Sequence, residues 1–158
     1  FTVESALDEE TGFAELAISA DGNPSKIDHV LSFVRDAPSM DRWNVVPFRQ
    51  RGEAESVVFQ GVELAYDDLL FKGEIDGRKL SITFYIEGLQ KATEDPLAGA
   101  AVLLMDEAIG EYDAMTMVRE LDAKPRDERT PPDALPFRDF RSYIDSLRDV
   151  IAPPPLDL

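Results

Sequence analysis

The stretch Leu80-Ser81-Ile82-Thr83-Phe84-Tyr85-Ile86 decides the fold of this 158-residue chain. Its large apolar residues alternate with other residues, which is the period of a β-strand with one buried face. Leu69-Leu70-Phe71 precedes it, and the pair Asp76-Gly77 lies between the two runs. This order predicts an antiparallel hairpin with a tight type I′ turn, and it directs Phe84 into the core.

Further elements are predicted on both sides of this hairpin. One helix follows Asn23 and Pro24, which suit its cap and first turn, and a second begins at Asp95-Pro96 and ends at Gly110. Their apolar stripes have the helical period and comprise Ile27, Val30, Leu31 and Val34 in the first, and Leu97, Ala101, Leu104 and Ala108 in the second. Strands are predicted at Phe13–Ala20, Trp43–Gln50 and Ala114–Leu121.

The order of these elements is β-α-β, a hairpin region, then β-α-β again. It predicts an α+β fold, namely a ferredoxin-like α/β plait built from a duplicated βαβ, with an additional C-terminal helix. The predicted organisation is a flexible lead-in at 1–12, the plait at 13–123, a Pro-rich linker at 124–136, an amphipathic helix at 137–152 and a tail at 153–158. We expect that last helix to dock on its own domain, because its apolar stripe must be covered and the linker reaches easily.

The charge restricts the class of partner. The chain has 16 basic and 32 acidic residues, a formal net charge of -16, which repels nucleic acid and anionic membrane surfaces. A protein partner with a basic surface is the expected one, and a homo-oligomer is also compatible with the sequence. There is no cysteine, which fits a cytoplasmic protein. Because the chain begins at Phe1, a targeting segment upstream would lie outside this sequence.

Catalytic motifs are missing from the sequence. His29 is the single histidine and faces away from the apolar stripe of its helix, so a hydrolase triad is not expected. No nucleophile elbow, P-loop or dinucleotide fingerprint occurs, and we expect no cofactor.

An acidic cluster at the end of the second predicted helix is the candidate site for metal chemistry. It comprises Asp106, Glu107, Glu111 and Asp113. Carboxylates in a last helical turn oppose the helix dipole, so a cation or an arginine nearby would stabilise them. Pairing with Arg119 or Lys124, or solvation, is favoured over a metal ion, and no metal site is predicted. A carboxylate-based, metal-dependent enzyme using this cluster with Tyr66 or Tyr85 is the alternative.

A candidate interaction face follows from strand alternation. If the apolar positions face the helices, the other sheet face carries Glu15, Ser19, Ser81, Thr83 and Tyr85. That face is expected to be solvated, to form a dimer interface, or to bind a partner.

Three stretches resemble an uncharacterised family of bacterial proteins of unknown function. They are Ile18–Asn23, Trp43–Arg49 and Ala108–Asp113, within a resemblance over about Phe13–Val118. The resemblance implies a cytosolic bacterial domain and transfers no catalytic residue. We expect a non-enzymatic acidic binding or regulatory module that acts on another protein. An immunity-type inhibitor of a basic toxin or nuclease is a further alternative.

Overall fold

Two similar ββαβ units make up most of the chain. The computed structural model describes residues 1–7, 9–151 and 154–156. The N-terminal unit contains β1 (Thr2–Leu7), β2 (Ala14–Ser19), α1 (Ile27–Asp36) and β3 (Trp43–Pro47). β1 pairs antiparallel with β2, and β2 pairs parallel with β3, so the second strand lies in the centre of a three-stranded sheet.

A short hairpin and the C-terminal unit follow. The hairpin is β4 (Ser56–Phe59) with β5 (Val62–Ala65), and it packs on the second long helix. The C-terminal unit contains β6 (Leu69–Asp76), β7 (Lys79–Ile86), α2 (Glu94–Ile109), α3 (Glu111–Met117), β8 (Val118–Pro125), β9 (Leu135–Pro136) and α4 (Phe140–Ser146). Its sheet has the order β8-β7-β6-β9, with β7 antiparallel to β6 and parallel to β8.

The α+β class is confirmed, but the predicted plait is wrong. The described residues form three small sheets, of three, two and four strands, instead of one sheet shared by both units. Each unit starts with its own antiparallel hairpin, because β1 pairs with β2 just as β6 pairs with β7. The edges of both central strands are therefore occupied within their own unit, and the strands of the two units cannot interleave.

Several predicted boundaries also change. The lead-in predicted for 1–12 contains β1, which alternation did not reveal because its six residues are all exposed. The strand predicted at Ala114–Leu121 begins as α3, and β8 starts only at Val118. The predicted linker carries the end of β8 and the short β9, while part of the predicted tail lies outside the described residues.

A plait with both helices on one sheet would have a single core, and the structure has two. The inward positions of β7 are as predicted, and they join α2 and the C-terminal segment in the larger cluster. Leu16, Ile18 and the apolar stripe of α1 form a separate cluster in the N-terminal unit. Since a three-stranded sheet covered by one helix closes its own small core, the two sets do not meet as one.

The C-terminal helix docks on its own domain, as expected. Its aromatic residues Phe137 and Phe140 are buried against the inner face of the four-stranded sheet. The Phe140 ring lies 5.0 Å from the Phe71 ring and 5.9 Å from the Phe84 ring, both in edge-on contacts. The helix proper is shorter than predicted, Phe140–Ser146. No helix within residues 1–7, 9–151 and 154–156 is long and apolar enough to cross a membrane.

Candidate functional site

A buried glutamate joins the two units. Glu111 begins α3 directly after Gly110, whose φ of 83° allows the chain to turn between α2 and α3. Its side chain is completely buried and accepts hydrogen bonds from the Ser19 hydroxyl at 2.9 Å and the Gly22 amide at 3.0 Å. The Arg49 amide donates a third bond at 3.1 Å. All the donors belong to the N-terminal unit or its exit, so this carboxylate holds the two units together.

Asp113 forms an ion-pair network with arginines. Its Oδ2 accepts from Arg51 at 3.1 Å and also from Arg148. Arg51 donates in addition to Asp145 at 2.8 Å, and this bond is the main reason that the pKa of Asp145 falls to about 2. The network therefore ties the segment after β3 to α3 and to α4.

Glu107 binds the segment after β3, and the backbone of that segment passes close to the Glu107 side chain. Its Oε1 accepts from the Ala54 amide at 3.1 Å, and its carbonyl accepts from the Gly52 amide at 2.9 Å. A Cβ at Gly52 would lie 1.7 Å from the Glu107 carboxylate, so a larger residue there would force the Glu107 side chain to move.

Asp106 is the least well compensated member of the acidic cluster. Its residue is 5% exposed, and its ion-pair partner is the Arg49 guanidinium at 3.4 Å. Burial, followed by the nearby charge of Glu111, raises the pKa of Asp106 to about 6. A buried carboxylate with a raised pKa beside a cleft is a common mark of a functional site.

The residues of the predicted acidic cluster are close to one another in sequence, but each side chain has its own binding partners. The arginines at 49, 51 and 148 take the place that Arg119 or Lys124 was expected to fill. Arg119 instead pairs with Asp76, and Lys124 pairs with Asp122. Among the residues that the structure describes, no group of three or more His, Cys, Asp or Glu side chains is arranged to hold a metal ion. Arg49 and Arg51 lie two residues apart just after β3, but no local pattern links them to carboxylates 57 and 62 positions later.

The structure does not bring the candidate interaction face together. Glu15 and Ser19 lie on the three-stranded sheet, whereas Ser81, Thr83 and Tyr85 lie on the four-stranded one. Ser19 is fully buried and bonded to the glutamate of the junction. Tyr85 is also buried, in a recess of about 530 Å³ that the segment after β8 helps to line.

Two surfaces that sequence reasoning missed are more prominent. The first is the free edge of β1, beside exposed apolar residues of β1 and α1. The second is a cleft of about 770 Å³ between the units, whose lining includes Asp106 and Arg49. Neither surface can be recognised from a local sequence pattern. The first depends on which strand lies at the edge of its sheet, and the second depends on how the two units pack together.

The three stretches that resemble a bacterial family meet at the Glu111 junction. Ile18–Asn23 supplies Ser19 and Gly22, Trp43–Arg49 supplies the Arg49 amide, and Ala108–Asp113 supplies the carboxylate. Comparison with known proteins gives no support for that resemblance: no family model, no curated protein and no solved structure matches the chain. The family therefore stays a prediction.

Proposed function

We propose that this chain is a non-enzymatic acidic binding module that takes an extended, basic segment of a protein partner on the edge of β1. Most of the predicted acidic cluster supports this interpretation over an enzyme, because Glu107, Glu111 and Asp113 hold the fold together. An immunity-type inhibitor is the special case in which the partner is a basic toxin or nuclease.

The free edge of β1 is the observation on which the proposal depends. β1 pairs with β2 along one side only, and no other described strand lies on its outer side. Its six residues are all exposed, and it carries one charged side chain, Glu4. Natural edge strands are usually protected by several charges, a proline or a bulge, so an unprotected edge is suited to adding a partner strand.

Exposed apolar side chains line this edge on the helix side. Val3 lies opposite Ile18 in the sheet, so its side chain points to the face on which α1 packs. It is nevertheless 58% exposed, and Leu7 on the same face is 66% exposed, so α1 leaves the β1 edge of the sheet uncovered.

The flank of α1 forms the other wall. Phe33 is 59% exposed and follows His29 by one helical turn. The His29 ring lies 6.5 Å from the Phe1 ring next to β1, so this flank faces the strand edge. A strand added to β1 would cover Val3 and Leu7 on one side and approach Phe33. We call these three residues the β1 docking strip.

The net charge selects the partner. At -16, the chain attracts a basic segment and accelerates its association, and salt weakens both effects. The partner segment we expect alternates apolar residues, for the docking strip, with residues that include Lys or Arg.

A displayed library of random peptides tests the proposal directly, with the whole chain as bait. We expect enrichment of alternating apolar and basic sequences, and we expect Leu7→Asp to weaken their binding by about tenfold or more, or about 1.4 kcal/mol. Val58→Asp, at a similarly exposed residue of β4, serves as the matched control. If no such peptides are enriched, or if Leu7→Asp binds them as the control does, the proposal is wrong.

A further inference from the structure

The cleft between the two units is separate from the β1 docking strip and has its own chemistry. Its volume of about 770 Å³ falls within the usual range of small-molecule sites. One wall is the exposed side of α2 at Val102, and another is Leu121 near the free edge of β8. Phe59 of β4 also lines the cleft and lies against Gly99, where a Cβ would come within 2.3 Å of its ring.

The apolar walls lead to a buried carboxylate. Asp106 lies in the lining, 5% exposed, with the guanidinium of Arg49 at 3.4 Å. That guanidinium is held more closely from outside the cleft, by Glu4 at 2.7 Å. The other arginine of the lining, Arg119, is paired with Asp76, which is also outside the cleft.

The charges around the cleft leave Asp106 with one long ion-pair contact, from Arg49 at 3.4 Å. Both lining arginines already have carboxylate partners, while Asp106 lies near the fully buried Glu111 and has one distant partner. Asp21 also lines the cleft, but it already pairs with the N-terminal amine at 2.9 Å and with Lys26 at 3.4 Å. An anion entering here would meet the Asp106 carboxylate, whereas an ammonium group would add a closer donor to the long hydrogen bond from Arg49.

We infer that this cleft binds a small organic cation, an aromatic or alkyl primary amine. Its ammonium group contacts Asp106, and its apolar body lies along Phe59, Val102 and Leu121. A carboxylate kept in a buried position at a cost in stability is typical of sites under functional constraint. The raised pKa of Asp106 agrees with this assignment, because a bound ammonium would restore the charged form.

Calorimetric titration of the whole chain with 2-phenylethylamine and hexylamine, at millimolar concentration and near neutral pH, tests the inference. We expect saturable binding of at least one amine and none of phenylacetate, which has the same aromatic body and the opposite charge. Asp106→Asn should weaken amine binding by about tenfold or more, while Asp122→Asn, an exposed residue of β8, should leave it unchanged. Val102→Trp, which fills the apolar part and leaves every charge in place, should also abolish binding.

Acidification provides a second readout. Binding should weaken as the pH falls through about 6, where Asp106 takes up a proton, and Asp106→Asn should remove that dependence. The inference is wrong if neither amine binds, if phenylacetate binds equally well, or if Asp106→Asn binds as the wild type does. Loss of peptide binding in Leu7→Asp without loss of amine binding would show that the two sites are independent.

Discussion

The charge of Asp106 should destabilise the folded chain at neutral pH, and Asp106→Asn should relieve that cost. The pKa of Asp106 rises from 3.8 to about 6, first because the carboxylate is buried and then because Glu111 lies nearby. Arg49 partly offsets both effects, and Glu4 adds to the repulsion. Each tenfold change in acidity is worth 1.36 kcal/mol, so the upper limit of the cost is about 3 kcal/mol. We expect a gain of about 1–3 kcal/mol for the variant.

The sign follows from linkage. The folded-state pKa lies above the unfolded value, so stability from protonated Asp106 is complete below 3.8 and is lost as the pH rises through about 6. The wild type and the Asp106→Asn variant should therefore be equally stable near pH 3.8, and the variant should become the more stable protein as the pH rises. Urea unfolding followed by the fluorescence of Trp43 across this range measures the difference, with Asp122→Asn as a flat control. A variant no more stable than the wild type at neutral pH would refute the reasoning.

Three further predictions concern the core, the C-terminal segment and divalent ions. Phe84→Ala should lower the free energy of unfolding in urea by about 3–5 kcal/mol, because the Phe84 ring of β7 is buried against α4. An unchanged unfolding midpoint would contradict the assignment of Phe84 to the buried face of β7. Truncation after Pro125 should lower the melting temperature and increase dye binding, since it uncovers Phe71; an equally stable product would show that α4 does not complete this core. Calcium, magnesium and manganese should raise the melting temperature only by screening, and a saturable, ion-selective rise abolished by Glu107→Gln would overturn this.

Local patterns predicted the central hairpin and the surfaces that it buries. Leu80, Ile82 and Phe84 alternate in the sequence and face one core, and the apolar residues from Phe137 onward dock on the same domain. Both patterns are easy to recognise in the sequence. A half-buried strand buries every second residue and a half-buried helix buries every third or fourth, so each pattern lies within a short stretch of chain.

The features that the sequence did not predict depend on contacts between distant parts of the chain. β1 carries no alternating pattern, since its side chains are exposed and the strand exists through pairing with β2. Met115 and Met117 look like part of a strand, but the turn at Gly110 starts a new helix that is covered from both units. Arg49 lies 57 positions before its partner Asp106, Arg51 lies 62 positions before Asp113, and Arg148 lies 35 positions after Asp113. No local window contains such a pair.

The junction at Glu111 also determines when the N-terminal unit can finish folding. Its carboxylate bonds to Ser19, Gly22 and Arg49 span 92, 89 and 62 positions of the chain. Contacts so distant in sequence form late and slow the folding rate. During synthesis, the first unit therefore leaves the ribosome with polar groups that have no native partner until α3 follows. Because Trp43 lies in that unit, its fluorescence and the helical circular dichroism of the whole chain should change together in a single unfolding transition.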